Sequence, residues 1–257
     1  MARRAEAAMP PVADGARLVI TGWPKGITPG VAEFTVAMIL GLANNLKLAD
    51  HNARLGKWRS VRNTLLLGKT VGIVGLGRIG RAVVDLLRPF GIRFLAFDPY
   101  VSASEAEAAG VELVGLEELL AEADFVTLHA VETPATLDLI NDERLRLMKP
   151  TACIVNTSRG SLIDEGALAR ALREGRVKGA ALDVFRGEIP EPSSPLLDEE
   201  LFYPTLFAPH AAALNTEAVW ALPLVQLENC LAALRGDVPE NLVNPDALPR
   251  WRERFHA

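Results

Sequence analysis

Four charged side chains follow short apolar runs and could do chemistry together. Arg159, Asp183, Glu188 and His210 come after "TACIV", "KGAAL" and "TLFA". Because open α/β sheets bind ligands beyond the carboxyl ends of their strands, we expect these side chains around one crevice. A histidine there can exchange a proton with a hydroxyl while a hydride leaves the carbon, and an arginine can hold a carboxylate and polarise an oxo group. The set indicates chemistry on 2-hydroxy or 2-oxo acids.

Two of these residues, Arg159 and His210, also have a purely structural interpretation. Arg159 could form an ion pair with Asp164 or Glu165, and His210 could be a hydrogen-bonded core histidine. His129, inside the run "DFVTLHA", fits the role of a core histidine better. Three such residues after successive strands, beside a glycine-rich loop, favour the functional interpretation.

The glycine-rich loop is formed by Gly75, Gly77 and Gly80, in the pattern G-x-G-x-x-G between a strand-like and a helix-like run. Gly75 would allow a tight turn, Gly77 the approach of a pyrophosphate, and Gly80 close packing of helix on strand. Asp98 ends the next strand-like run, where a carboxylate binds ribose hydroxyls and repels a 2′-phosphate. The pattern predicts NAD as cofactor, although a glycine turn that binds nothing is the alternative.

Apolar strand-like runs alternate with amphipathic helix-like segments from residue 68 onward, which predicts a doubly wound α/β fold with a parallel sheet. A long apolar helix is expected over residues 28–55, with Thr28 as its N-cap, buried against a neighbour such as a second subunit; we therefore expect a homodimer. Another helix is expected at about residues 215–236. The seven predicted strands are 70–74, 92–97, 111–114, 124–130, 151–155, 178–185 and 205–208.

Composition excludes some classes of partner, and we expect a cytoplasmic protein. A net charge of −5 over 257 residues gives no basic surface for nucleic acid or an anionic membrane. The apolar stretch over residues 36–43 is too short to span a bilayer, and the first fifteen residues lack the apolar core of a signal peptide. Cys153 and Cys230 are expected to be buried free thiols, as in a reducing compartment. No metal site is predicted.

Several motifs, in order, resemble the D-isomer-specific 2-hydroxyacid dehydrogenase family: "GKTVGIVGLGRIGRAV", "VNTSRGSLIDEGALARAL", "GAALDVF" and "APHAAALNTEA". The resemblance implies an NAD-dependent oxidoreductase acting on a D-2-hydroxy or 2-oxo acid. It implies a Rossmann domain over residues 28–213, including the leading helix, with residues 1–27 and 214–257 as remnants of a flavodoxin-like substrate domain.

The resemblance also implies roles for individual residues. Arg159 would orient the substrate, with Glu188 as the carboxylate partner of His210, the acid/base. Asp183 would hold the nicotinamide carboxamide. The cofactor would be lined by the glycines, by Asp98, and by the backbone at Arg78, Ile79, Thr157 and Ser158.

The chain departs from the family pattern at some positions. Val131 replaces a proline, and Ala212, Ala213 and Leu214 replace glycines and a hydroxyl residue after the histidine. Glu191 competes with Glu188 as the carboxylate partner, and spacing from Asp183 favours Glu188. Only about 27 residues precede the long helix, where the family has a domain of roughly 100 residues. The alternative function is therefore an NAD(H)-binding protein without efficient turnover, such as a truncated or sensor-like relative.

Overall fold

The structure is a computed structural model and describes residues 24–253. These residues form two compact units. The larger unit is Val31–Ala212, and the smaller one contains residues 24–30 and 213–253.

The larger unit is built on a single sheet of seven parallel strands, in the order β3-β2-β1-β4-β5-β6-β7. The order reverses between β1 and β4, which places the topological switch point, where such folds bind ligands, beside the glycine loop. All seven predicted strands are present, and the predicted doubly wound α/β fold is confirmed. The strands are β1 (Thr70–Val74), β2 (Arg93–Phe97), β3 (Glu112–Leu113), β4 (Phe125–Leu128), β5 (Cys153–Asn156), β6 (Gly179–Leu182) and β7 (Thr205–Phe207).

Helices connect the strands, as a parallel sheet requires. In chain order they are α1 (Pro24–Ala43), α2 (Leu46–Arg54), α3 (Arg78–Leu87), α4 (Ala103–Ala108), α5 (Leu116–Glu122), α6 (Asp142–Leu145), α7 (Glu165–Arg173), α8 (Thr216–Arg235) and α9 (Leu248–Arg252). Short 3₁₀ turns lie at Arg88–Phe90, Gly160–Leu162, Pro195–Leu197, Glu199–Leu201 and Pro245–Ala247.

The prediction of one long helix over residues 28–55 is wrong about where the helix begins and about its continuity. Helix α1 begins at Pro24, so Thr28 lies inside it rather than capping it. The chain then breaks at Asn45, which has a left-handed φ of 48° and precedes α2. Asparagine tolerates this conformation, and its amide donates to the carbonyl of Arg62 at 2.8 Å. This hydrogen bond compensates for the interrupted helix and ties it to a later loop.

The core consists of two apolar clusters, and alternate residues of each strand contribute to different clusters. Val126 and Ile154 belong to the cluster that includes α5 and α7, whereas Phe125 and Val155 belong to the cluster that includes α1 and α3. This alternation is what a sheet covered on both faces requires. Every residue of β4, β5 and β6 is buried, so the strand ends are held rigidly.

Within the described residues, one helical segment, Gly26–Ala43, is long and apolar enough to cross a bilayer by length and composition. Its residues Met38, Ile39 and Leu42 are buried in the second cluster. This burial is typical of the core helix of a globular domain.

The smaller unit contains α8, predicted at residues 215–236, and its caps agree with that prediction. Asn215 accepts the backbone N–H of Ala218 at 2.7 Å, and Gly236 ends the helix at a φ of 83°. The prediction that both cysteines are buried is wrong for Cys230. Cys230 lies exposed on α8, whereas Cys153 is buried at the start of β5.

Candidate active site

The glycine loop joins β1 to α3, and each glycine has a different steric reason to be there. Gly75 has a φ of 96°, and a Cβ atom on it would come within 2.8 Å of the backbone of His129. A Cβ atom on Gly80 would overlap the carbonyl oxygen of Gly75, so helix and strand could not pack so closely. Nothing lies within 4 Å of a Cβ position on Gly77. Gly77 therefore leaves open space at the start of the helix, where a pyrophosphate would approach.

The carboxylate of Asp98 orders this loop from the end of β2. Its Oδ2 accepts the backbone N–H of Leu76 at 2.9 Å, and its Oδ1 accepts that of Tyr100 at 2.9 Å. The N–H of Gly75 donates to Phe97 at 2.9 Å. Asp98 thus fixes the glycine loop in addition to the ribose-binding role that the sequence predicts for it.

Asn156, which the sequence analysis did not single out, shapes the end of β5. It is completely buried, and its side chain accepts the N–H of Ser158 at 3.0 Å and donates to the carbonyl of Arg159 at 2.7 Å. The hydroxyl of Ser158 reaches the carbonyl of Ala130 beyond β4 at 2.5 Å. An asparagine ending an apolar strand is a turn signal that could have identified it.

Thr157 is also held from outside its strand. Its hydroxyl lies 2.8 Å from that of Thr35 on α1, and both threonines are buried. The hydroxyl of Thr35 donates to the carbonyl of Val31 at 2.7 Å. The segment after β5 is therefore tied to α1, to the end of β4 and to its own strand.

Arg159 is exposed, and its guanidinium donates to the carbonyl of Ser158 at 2.7 Å. Among the described residues it makes no ion pair. Asp164 instead caps α7 by accepting the N–H of Ala167, and Glu165 accepts the N–H of Arg186. The structural interpretation of Arg159 is therefore not supported. Gly160 follows because the backbone of the chain after β6 passes where its Cβ atom would be.

Asp183 immediately follows β6 and is the most constrained charged residue of the set. Its side chain is almost wholly buried, with 1% of the residue exposed. Oδ1 accepts the N–H of Ala211 at 2.7 Å and Oδ2 that of Ala212 at 3.0 Å. Its carbonyl oxygen accepts the N–H of His210 at 2.8 Å. Asp183 therefore binds three successive N–H groups of the chain after β7.

His210 is held by this contact in an uncommon backbone conformation, with a φ of 54°. Its side chain is exposed, and within the described chain no hydrogen bond to its ring is present. A core histidine would be buried and hydrogen-bonded, so that interpretation fails. Left-handed non-glycine residues cluster at functional sites, and the exposed imidazole is free to meet a substrate.

Glu188 lies on the exposed loop after β6 and also has a positive φ, 71°. Within the part of the chain described, neither a hydrogen bond nor an ion pair joins Glu188 to His210. The same holds for Glu191. The structure therefore brings Arg159, Asp183 and His210 to the ends of adjacent strands, but within the described residues it joins neither glutamate to the histidine by a hydrogen bond or an ion pair.

His129, expected to be a core histidine, directly follows β4. Its ring lies 3.1 Å from the hydroxyl of Thr127, and burial lowers the pKa of His129 to about 4. The ring is therefore neutral at physiological pH. His129 is only partly exposed to solvent, and its neutral, hydrogen-bonded ring supports the structural interpretation.

Comparison with known proteins identifies the family. A family model described as the D-isomer specific 2-hydroxyacid dehydrogenase NAD binding domain matches residues 36–212. The chain belongs to that family. It is 40% identical over 237 residues to a glyoxylate reductase of Korarchaeum cryptofilum, covering 90% of this chain and 70% of the relative. It is also 40% identical to a D-3-phosphoglycerate dehydrogenase of Methanocaldococcus jannaschii, of which it covers 44%.

Solved structures of the family agree with the fold. A D-lactate dehydrogenase of Aquifex aeolicus, solved with NAD and lactic acid, superposes with a TM-score of 0.80 at 29% identity, covering 88% of this chain and 73% of that one. The family assigns the chain to the NAD-dependent oxidoreductases that act on D-2-hydroxy acids. NAD as cofactor, predicted from the glycine pattern, is confirmed by the family.

The described residues fit a dinucleotide. The open space at Gly77 lies at the positive end of α3, where the first backbone N–H groups, including those of Arg78 and Ile79, have no partner within the helix. Asp98 lies beside this loop at the end of the neighbouring strand. When bound, NAD supplies or accepts a hydride.

We expect Asp183→Asn to loosen the chain around His210. The asparagine amide has one oxygen, which can accept only one of the two N–H groups in place, and its NH₂ group faces the second N–H. That buried N–H loses its acceptor, which should lower the free energy of unfolding by about 1–3 kcal/mol. Amide hydrogen exchange should accelerate at Ala211 or Ala212 and the melting temperature should fall. Asp164→Asn, which keeps a capping oxygen, is the control. Unchanged exchange at both alanines would contradict this role of Asp183.

His129 should make the protein less stable in mild acid. The folded pKa of His129, about 4, lies below the unfolded value of 6.5, so the unfolded state binds the extra proton between these pH values. Its contribution to stability is therefore present above pH 6.5 and is lost as the pH falls towards 4, by up to about 3 kcal/mol. Urea unfolding at several pH values should show a shallower loss for His129→Gln than for the unaltered protein. If the unfolding free energies of the two proteins fall in parallel with pH, this role of His129 is contradicted.

Proposed function

We propose that this chain reduces small 2-oxo acids, such as glyoxylate, to 2-hydroxy acids with NADH, and catalyses the reverse oxidation. The choice of reaction is supported by the relatives of the chain, which include glyoxylate reductases and D-lactate dehydrogenases. Among the substrates named there, glyoxylate is the first to test.

Each residue of the site has a role in this reaction. The glycine loop and Asp98 would hold NADH, which would supply the hydride for C2 of the substrate. His210, in its protonated form, donates a proton to the carbonyl oxygen, which becomes the 2-hydroxyl group. Arg159 holds the substrate carboxylate and polarises the oxo group, and Glu188 orients the His210 ring. Of the five N–H groups on Arg159, one donates to Ser158, and within the part of the chain that the structure describes the others are available to a substrate.

One observation carries the proposal: Arg159, Asp183 and His210 follow three strands that are neighbours in the sheet. Asn156 pairs with Leu182, and Leu182 pairs with Phe207, so these strand ends are in register. Arg159 and His210 each lie three residues beyond that line. The backbone of both residues is fixed from neighbouring strand ends, because Asn156 donates to the carbonyl of Arg159 and the N–H of His210 donates to Asp183, which suits a site that must hold reacting groups in place.

A second candidate function is NAD(H) binding with weak turnover. It is favoured by the absence of any hydrogen bond or ion pair between Glu188 and His210 within the described residues. An unpaired, exposed histidine is a poorly oriented acid. Measuring NADH oxidation and NADH binding on the same protein separates the two candidate functions.

Loss of NADH absorbance should be followed with glyoxylate, hydroxypyruvate and pyruvate, alongside calorimetric titration with NADH. Reduction is expected, and His210→Ala should lower the rate about 10²–10⁴-fold, the usual contribution of a general acid, with NADH affinity unchanged. His51→Gln is the control, because His51 packs on Phe202 and Tyr203. Tight NADH binding without turnover supports the second candidate. Turnover that survives His210→Ala disproves the assignment of the acid.

We also propose that the chain forms a homodimer through α2 and the segment that follows it. Helix α2 has no buried residue, and large apolar side chains after it face solvent. Trp58 is 98% exposed, Leu65 72% and Leu67 66%, a combination that in a monomer favours association. Helix α1 offers less apolar surface for an interface, because the core already covers much of it.

Light scattering should therefore show a dimer at micromolar concentration. The double substitution Trp58→Glu, Leu65→Glu should give a folded monomer, because charges would be buried without partners in the interface. Trp220→Glu, an exposed tryptophan on α8, is the matched control and should leave the dimer intact. A monomeric unaltered protein contradicts the proposal.

The proposed location is the cytoplasm, supported by the two free cysteines, Cys153 and Cys230. Cell fractionation that recovers the protein outside the cytoplasm would contradict it.

A further inference from the structure

The loop that carries Glu188 begins with a tight turn. The N–H of Glu188 donates to the carbonyl of Phe185 at 3.0 Å, which closes a turn through Arg186 and Gly187. Gly187 and Glu188 have φ values of 77° and 71°. Glycine adopts this conformation freely, but glutamate keeps it only when the surroundings determine it.

Arg186 is the residue of this turn that is fixed from outside. Its N–H donates to Oε1 of Glu165, the first residue of α7, at 2.7 Å. Its guanidinium donates to Oδ1 of Asp138 and forms an ion pair with it. Two separate elements therefore hold one residue, through its backbone and its side chain.

The two anchors of Arg186 are themselves fixed. Asp138 has a φ of 48°, and its N–H donates to the carbonyl of Ser161 at 2.9 Å. Glu165 lies in the first turn of α7, which Asp164 caps. Gly160 packs directly against the backbone of Phe185 and Arg186, leaving no space for a Cβ atom. The turn therefore packs against Gly160 and is held by hydrogen bonds to Glu165 and Asp138.

We propose that Arg186, anchored by Asp138 and Glu165, is a positioning residue. It sets the direction of the backbone at Glu188, on the loop that follows β6. Neither Arg186 nor Asp138 lies in the four short sequence motifs that resemble the family. The inference rests on the proposed function, in which Glu188 orients His210. Because the Arg186–Asp138 pair is about half exposed, its removal should change the local order of the turn and leave global unfolding almost unchanged.

The test is ¹⁵N relaxation of the full chain, read at Gly187 and Glu188. Arg186→Ala and Asp138→Asn should lower their backbone order parameters from rigid values, about 0.85, to below about 0.6. Asparagine is chosen at position 138 because it tolerates the left-handed backbone while removing the charge. Arg186→Lys keeps the charge and should restore much of the order. The melting temperature should not change.

Asp50→Asn, which removes the exposed pair of Asp50 with Arg54, is the control and should leave the turn unaffected. Order parameters that stay high in both Arg186→Ala and Asp138→Asn would overturn the proposal. Glu188→Gln separates it from the proposed function, because that variant should keep the order of the turn while lowering glyoxylate reduction. Full turnover by Glu188→Gln would refute the role of Glu188, whereas the order parameters alone decide the role of Arg186.

Discussion

Asp183 connects the core of the sheet to the residues around the crevice. The carboxylate is buried, and a buried charge is tolerated only when hydrogen bonds replace its hydration. Ala211 and Ala212 supply those bonds, and the carbonyl of Asp183 takes the N–H of His210. The solvation of one charge thereby fixes the backbone of the candidate acid, including its left-handed conformation.

The same device recurs along the ligand-binding edge of the sheet. Asp98 accepts N–H groups from the glycine loop, and buried Asn156 accepts and donates to the chain that carries Arg159. In each case a polar residue at or just after a strand end binds backbone groups of the segment that must meet a ligand. Loops that would otherwise be mobile inherit the rigidity of the buried strands. Glu188 is farther from its strand and depends on Arg186 instead.

Much of the fold follows from short-range patterns in the sequence. All seven strands were predicted, because apolar runs bounded by turn residues are a local property and parallel pairing buries both faces of each run. The end of α1 was not predicted, because "ANNLKL" continues an apolar periodic stretch and contains no glycine or proline. The helix breaks there because the amide of Asn45 finds the carbonyl of Arg62, a contact with a residue seventeen positions away.

For the site, the sequence by itself determined the type of cofactor and selected the candidate residues for chemistry, since glycine spacing and strand-end residues are local features. Only the tertiary structure decided how those residues are used. It showed that Asp183 binds the His210 backbone. Within the described chain it also showed that Arg159 forms no ion pair and that no hydrogen bond or ion pair joins Glu188 to His210. Hydrogen-bond partners depend on which strand ends become neighbours, and that order, β5 beside β6 beside β7, is set by packing of the whole sheet.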